Sequence, residues 1–248
     1  MNVSPASCAH AHRRPWPERW KALAALTLLV PSASLGVACG MIWFPGSTVG
    51  LALFAACKVW LIALPLFWHR RVERVPIRLF AAGSRGWKAG VMTGLVMALG
   101  ILCAYALGGH SWIDQAVLAR KMAAVGLAQP WKYTVGAIYW IVVNAWVEEY
   151  VWRWFCVRQC QILCPRPASA AVMISAFLFT LHHLLAIRTY ARGPEGWVMA
   201  LGVFMGGMCW SGLFARYRSI YPAYLSHALA DASIFALGAW MLFFRPGW

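Results

Sequence analysis

The sequence predicts an all-α, polytopic integral membrane protein with about seven to eight transmembrane helices. Three observations predict it. Of the 248 residues, 62% are hydrophobic and 12% are charged, about half the charged content of a typical soluble domain. Mean hydropathy is +0.62. Apolar stretches of about 20 residues recur down the whole chain, each long enough to cross a hydrocarbon core of roughly 30 Å as a helix.

Taken in order, residues 1–20 are polar and Pro-containing and read as a cytoplasmic tail. The apolar run that follows is too long for a signal-peptide core and lacks an obvious cleavage site. Hydropathy then places spans at about 22–44, 51–68, 90–109, 134–157, 170–188, 197–216 and 222–244. The stretch WIDQAVLARKMAAVGLA, 112–128, sets Asp114, Arg120 and Lys121 off an apolar face. It reads as an interfacial helix or a half-span, which would make an eighth helix. The basic loop 69–90 is the best internal boundary. Residues 21–133 therefore group as N-terminal helices plus the interfacial segment, and 134–244 as a second unit.

A net charge of +15 from 22 Lys and Arg against 7 acids is of the size found in nucleic-acid-binding proteins. The basic residues, however, sit in short loops between apolar spans, with no soluble domain or nucleic-acid motif to use them. No nucleic-acid partner is expected, and the lipid bilayer is. Arg13, Arg14, Arg19 and Lys21, the loop 69–90, and Arg153, Arg158, Arg166, Arg216 and Arg218 all fall on one side if the N-terminus is cytoplasmic. The positive-inside rule supports that orientation. It suits a prokaryotic inner membrane, the expected location, or a eukaryotic endomembrane.

The eight cysteines are scattered mostly within spans, against a disulfide framework. Cys156, Cys160 and Cys164 share a helical stripe that suits acylation or metal binding; a packed stripe of small side chains is the simpler reading. Trp146, Tyr150, Trp152, Trp154 and Phe155 read by default as an interfacial aromatic belt. Gly202 and Gly206 read as a GxxxG packing motif.

Three of the seven acids, Glu148, Glu149 and Asp231, fall within spans. An ionisable group at membrane depth costs on the order of 3 kcal/mol or more and persists where it has a function or a partner. His182, His183 and His227 are also within spans. Glu149 and Arg153, Phe179 and His183, and His227 and Asp231 are each four apart, so each pair shares a helical face. Glu148 lies about 100° around from Glu149. Glu149 therefore pairs with Arg153, and Glu148 is left with no local cation. A glutamate with a nearby histidine is a water-activating pair.

EEYVWR (148–153), FTLHH (179–183) and HALAD (227–231) fit EExxxR, FxxxH and HxxxN/D. In that order they resemble the CAAX prenyl protease and bacteriocin-processing family of intramembrane endopeptidases. The resemblance covers about residues 134–240 and implies a multi-span helical fold with a catalytic cavity at membrane depth. It implies that Glu148 and His183 activate the attacking water and that His227, with Asp231, stabilises the oxyanion. Glu149 and Arg153 would hold the helix end, with Phe179 in support. Asp stands where many relatives have Asn, so Asp231 either orients and charges His227 or donates as a protonated acid. The FxxxH register selects His183 and leaves His182 as a packing residue.

A carboxylate and two histidines, Glu148, His183 and His227, also make a reasonable zinc set. The resemblance implies a metal-free glutamate mechanism, and HExxH is absent. The implied partner is a membrane-anchored protein or peptide, possibly lipid-modified. The alternatives are a non-proteolytic immunity factor or membrane scaffold of the same family and, more remotely, a proton-coupled transporter.

Overall fold

The computed structural model of the protein describes residues 16–74, 85–191 and 193–244. Most of the expected tail, residues 1–15, lies outside them. The described residues form helices α1 (Pro17–Trp43), α2 (Thr48–Val72), α3 (Trp87–Leu107), α4 (Gln115–Ala124), α5 (130–163), α6 (Ala168–Arg188), α7 (Glu195–Tyr217) and α8 (Tyr221–Phe244), with no strand among them. Their outer faces are covered with exposed large apolar side chains, such as Leu51, Val96, Leu99 and Leu201. That is how a helix presents itself to hydrocarbon, since lipid tails are as apolar as leucine.

Six helices, α1, α2, α3, α6, α7 and α8, are long and apolar enough to cross a membrane, fewer than the seven to eight expected. The seventh expected span, 134–157, is present inside α5. Glu148, Glu149 and Arg153 make that stretch less apolar than its neighbours, and the protein itself surrounds them. At 10 residues α4 extends only about 15 Å, so 112–128 forms a short helix and not a span. Its N-terminus is capped by Asp114, whose carboxylate accepts from the amides of Ala116 and Val117.

The bundle is built around α5. Every residue from Glu148 to Val157 is buried, and Trp152, Arg153 and Phe155 are among the largest fully enclosed side chains. A helix apolar on all sides belongs in the middle of a bundle. Neighbouring helices dock onto it through single polar contacts. Tyr150 Oη donates to the Ile62 carbonyl of α2 at 2.9 Å. Ser175 Oγ of α6 donates to the Trp152 carbonyl at 3.2 Å. At one end, Glu73 accepts from Gln159 Nε2 at 2.7 Å and pairs with Arg158 at 3.1 Å and His69 Nδ1 at 3.1 Å. The expected aromatic belt is therefore overturned for Tyr150, Trp152, Trp154 and Phe155, which are at most 6% exposed. Cys156 and Cys160 are fully buried, which fits a packed stripe and puts both thiols out of reach of acylation.

Two stretches of α5, Tyr139–Asn144 and Tyr150–Val157, are π-helical. Such i→i+5 segments are rare and gather at functional sites. The two glutamates occupy the short α-helical stretch Ala145–Glu149 between them.

Close helix approach comes from glycines other than the expected pair. Gly202 has nothing near its α-hydrogen, whereas a Cβ on Gly207 would stand 3.2 Å from the Ala176 backbone of α6. On α3, a Cβ at Gly94 would stand 2.8 Å from Leu229 Cδ1 and 2.9 Å from Ser226 Cα. The α3–α8 contact that seats His227 therefore requires glycine at position 94. Gly94→Leu is expected to cost about 1–3 kcal/mol by overpacking, read as a lower thermal-unfolding midpoint in detergent, while Gly202→Leu leaves the midpoint unchanged.

Candidate active site

The site is assembled from four helices. From α5 come Asn144, Glu148, Glu149 and Arg153, one turn apart along two adjacent stripes. From α6 come Phe179, His182 and His183; from α8, His227 and Asp231; from α2, Lys58.

Glu149 is fully enclosed, and its two carboxylate oxygens have different partners. Oε2 accepts from Arg153 Nε at 3.2 Å, and Oε1 accepts from His227 Nδ1 at 2.9 Å. Arg153 is likewise fully enclosed, lies over Phe179 at 4.6 Å, and reaches Ser211 Oγ of α7 at 3.3 Å. A buried carboxylate survives only when paired and hydrogen-bonded, and here an arginine and an imidazole do both. The sequence assigned Glu149 to Arg153 alone. The structure adds His227, which reaches it from 78 residues away.

That contact also changes the reading of Asp231. Its Oδ1 lies 3.6 Å from Nε2 of His227, on the same side of the ring as Glu148 Oε2 at 3.7 Å. Glu149, not Asp231, holds Nδ1 and so fixes the ring's orientation and tautomer. The face of His227 stacks on Trp210 of α7, centroids 4.0 Å apart and 15° from parallel. Trp210 is seated in turn by donating Nε1–H to Ser226 Oγ at 3.0 Å. Sequence spacing gave no signal for Trp210.

Glu148 has partners the sequence did not give it. Asn144 Nδ2 donates to Oε1 at 2.9 Å, and Lys58 Nζ lies 4.0 Å from the same oxygen. Among the described residues no cation on its own helix pairs with Glu148, as expected, and Lys58 reaches it from α2. Asn144 was detectable as an amide one turn before the glutamates, and Lys58 as a lone ammonium in an apolar span. Oε2 is the free oxygen, 4.0 Å from His183 Nε2 and 3.7 Å from His227 Nε2. His183 Nδ1 faces the Phe179 carbonyl at 3.2 Å. A carbonyl only accepts, so in the neutral ring Nδ1 carries the hydrogen and Nε2 presents a lone pair toward Glu148.

His182 packs face to face on Trp152, centroids 5.2 Å apart, but its buried Nδ1 has no hydrogen-bond partner among the described residues. With Glu148 and His183 it forms a set of ligand atoms all within 4.8 Å of one another. One carboxylate and two imidazoles are donors that zinc accepts. The residues fit such an ion in kind, and the set contains His182 where His227 was expected.

A cavity of about 800 Å³ opens elsewhere, between the ends of α1, α6 and α7 and helix α4, lined by residues such as Trp112, Arg120, Leu185, Arg188 and Tyr190. None of Glu148, His183, His227 or Asp231 lines it. Side-chain exposure in the cluster is 27% at His183, 24% at Lys58, 17% at Asp231 and 11% at Glu148.

Residues 130–233 match the family model described as type II CAAX prenyl endopeptidase, Rce1-like. This segment is an Rce1-like domain. It holds every site residue named above except Lys58. At the level of the family, the Rce1-like assignment supports a CAAX-type intramembrane endopeptidase. No curated protein and no solved structure matches the chain.

The burial of the Glu149–Arg153 pair has a measurable consequence. Arg153→Met leaves Glu149 enclosed without its cation and is expected to cost about 3–5 kcal/mol. Glu149→Gln combined with Arg153→Met should cost clearly less than the two changes summed. Chemical unfolding of the purified protein in detergent checks both.

Proposed function

We propose that the protein is an intramembrane endopeptidase that hydrolyses a peptide bond near the C-terminus or membrane anchor of a membrane-associated, lipid-modified protein, with Glu148 and His183 activating the water. The observation that carries this reading is the convergence of Glu148 Oε2 with Nε2 of both His183 and His227 inside an Rce1-like domain.

Two acceptors 4.0 Å apart, the carboxylate oxygen and the bare imidazole nitrogen, suit a single water that donates one hydrogen to each. Glu148 then takes a proton as the water oxygen bonds to the scissile carbonyl carbon, and the C=O π pair moves onto oxygen. That oxyanion needs a donor already in place. His227 Nε2 supplies one when the ring carries both protons, with Nδ1–H held by Glu149 in either form. Asp231 supplies one only as the carboxylic acid. When the C–N bond breaks, the proton held by Glu148 passes to the departing amine, and the carboxylate is restored.

Should zinc be bound, Glu148, His182 and His183 would hold it, and it would supply a Lewis acid that polarises the water. Metal content of the purified protein, measured with His182→Ala as the comparison, reports whether that set is loaded.

A non-proteolytic immunity or scaffold role is the reading to separate from this one. Incubation of the detergent-solubilised protein with a prenylated peptide ending in a CAAX sequence is expected to release the terminal residues. Glu148→Gln and His183→Ala should each lower turnover by at least about 10²-fold. His227→Ala should lower kcat by about 10²–10³, the loss seen when one oxyanion donor is removed. Cleavage persisting in both Glu148→Gln and His183→Ala would sink the assigned roles. Full cellular function of a Glu148→Gln variant would favour the scaffold reading.

A further inference from the structure

Lys58 lies near the middle of α2, far outside the Rce1-like segment. Its ammonium donates to Asn144 Oδ1 across 86 residues of sequence and stands 4.0 Å from Glu148 Oε1. A lysine in the middle of an apolar span is costly unless its charge is matched; besides these two groups, the Phe54 ring lies 5.6 Å from the ammonium.

The chemistry of the three groups fixes the direction of each contact. An ammonium only donates, so the Asn144 amide must turn its oxygen toward Lys58. Its nitrogen then points the other way and donates to Glu148 Oε1 at 2.9 Å. The carboxylate only accepts and so calls for the amide nitrogen, while Lys58 holds the amide oxygen from the other side, so the two contacts enforce one orientation. Lys58 thus anchors the amide in that orientation, the amide holds Oε1, and Oε2 is the oxygen left facing His183 and His227.

We propose that Lys58 is a positioning residue of the active site: acting through Asn144 and by its own charge, it fixes which oxygen of Glu148 is presented to the water. The proposal rests on the peptidase reading for its role in turnover. It also gives the N-terminal spans a part in the site, so that the Rce1-like segment alone lacks a functional component.

Two measurements on the full-length protein in detergent test it. The first is turnover of the prenylated CAAX peptide. Lys58→Met is expected to lower kcat by about 100-fold, the scale of loss from a misplaced catalytic group, with KM changed less than twofold. Lys58→Arg should recover most of that loss. In an Asn144→Ala background, Lys58→Met should lower kcat by clearly less than the about 100-fold it costs in the wild type, because the relay through the amide has already been broken and only the direct charge contact is left. Losses that multiply, or a Lys58→Met kcat within twofold of wild type, would overturn the proposal.

The second measurement does not depend on catalysis. Lys58→Met should lower the thermal-unfolding midpoint of the wild type but not that of Glu148→Gln, where the charge it balances is gone. Equal shifts in both backgrounds overturn the proposal while leaving the peptidase reading intact. If the wild type cuts nothing, the peptidase reading falls, and the unfolding comparison alone decides whether Lys58 holds Glu148.

Discussion

Placing an ionised carboxylate in the dry centre of a helical bundle is the constraint on which the rest of the protein depends. Glu149 has no exposed surface, and a charge in that setting is tolerated only when an opposite charge and hydrogen bonds surround it. Arg153 supplies the charge from one turn away, and His227 supplies the second hydrogen bond from another helix. Meeting that need draws α8 against α5, and Arg153 draws α7 in through Ser211. The polar core is a tie between helices before it is anything else. This has a mechanical benefit in a bilayer, where apolar faces gain little by leaving lipid for protein.

Division of labour between the two adjacent glutamates follows. One is saturated by partners and becomes structure. The other is held at one oxygen by Asn144 and Lys58, with its second oxygen facing two imidazoles. Both are equally acidic by nature. Their different surroundings arise from a rotation of about 100° along one helix. His227 is the hinge between the two roles, with Nδ1 on the structural carboxylate and Nε2 near the free one. Trp210 and Ser226 then lock the ring from its flat side.

What the sequence made legible was local. The pairing of Glu149 with Arg153 is a four-residue spacing, and a spacing survives even the π-helical turn that begins at Tyr150. Spans were legible because the bilayer imposes a length on any apolar run. What stayed hidden depends on how one helix is rotated against another. Lys58 meets Asn144 across 86 residues and Glu149 meets His227 across 78, and no periodicity encodes either meeting. The same holds for the aromatics of α5. Trp152 and Trp154 have the composition of an interfacial belt, and only the central place of the helix shows them to be core. Gly202 likewise had the right spacing and faced away from every neighbour.

The order in which the helices leave the ribosome has its own consequence. Lys58 emerges early, the glutamates and His183 later, and His227 only with the last helix, α8. Until α8 docks, Glu149 lacks its second partner and the reactive carboxylate faces an incomplete set of groups. A chain in which α8 has not yet docked therefore lacks the full set of polar partners that the two glutamates have in the finished bundle.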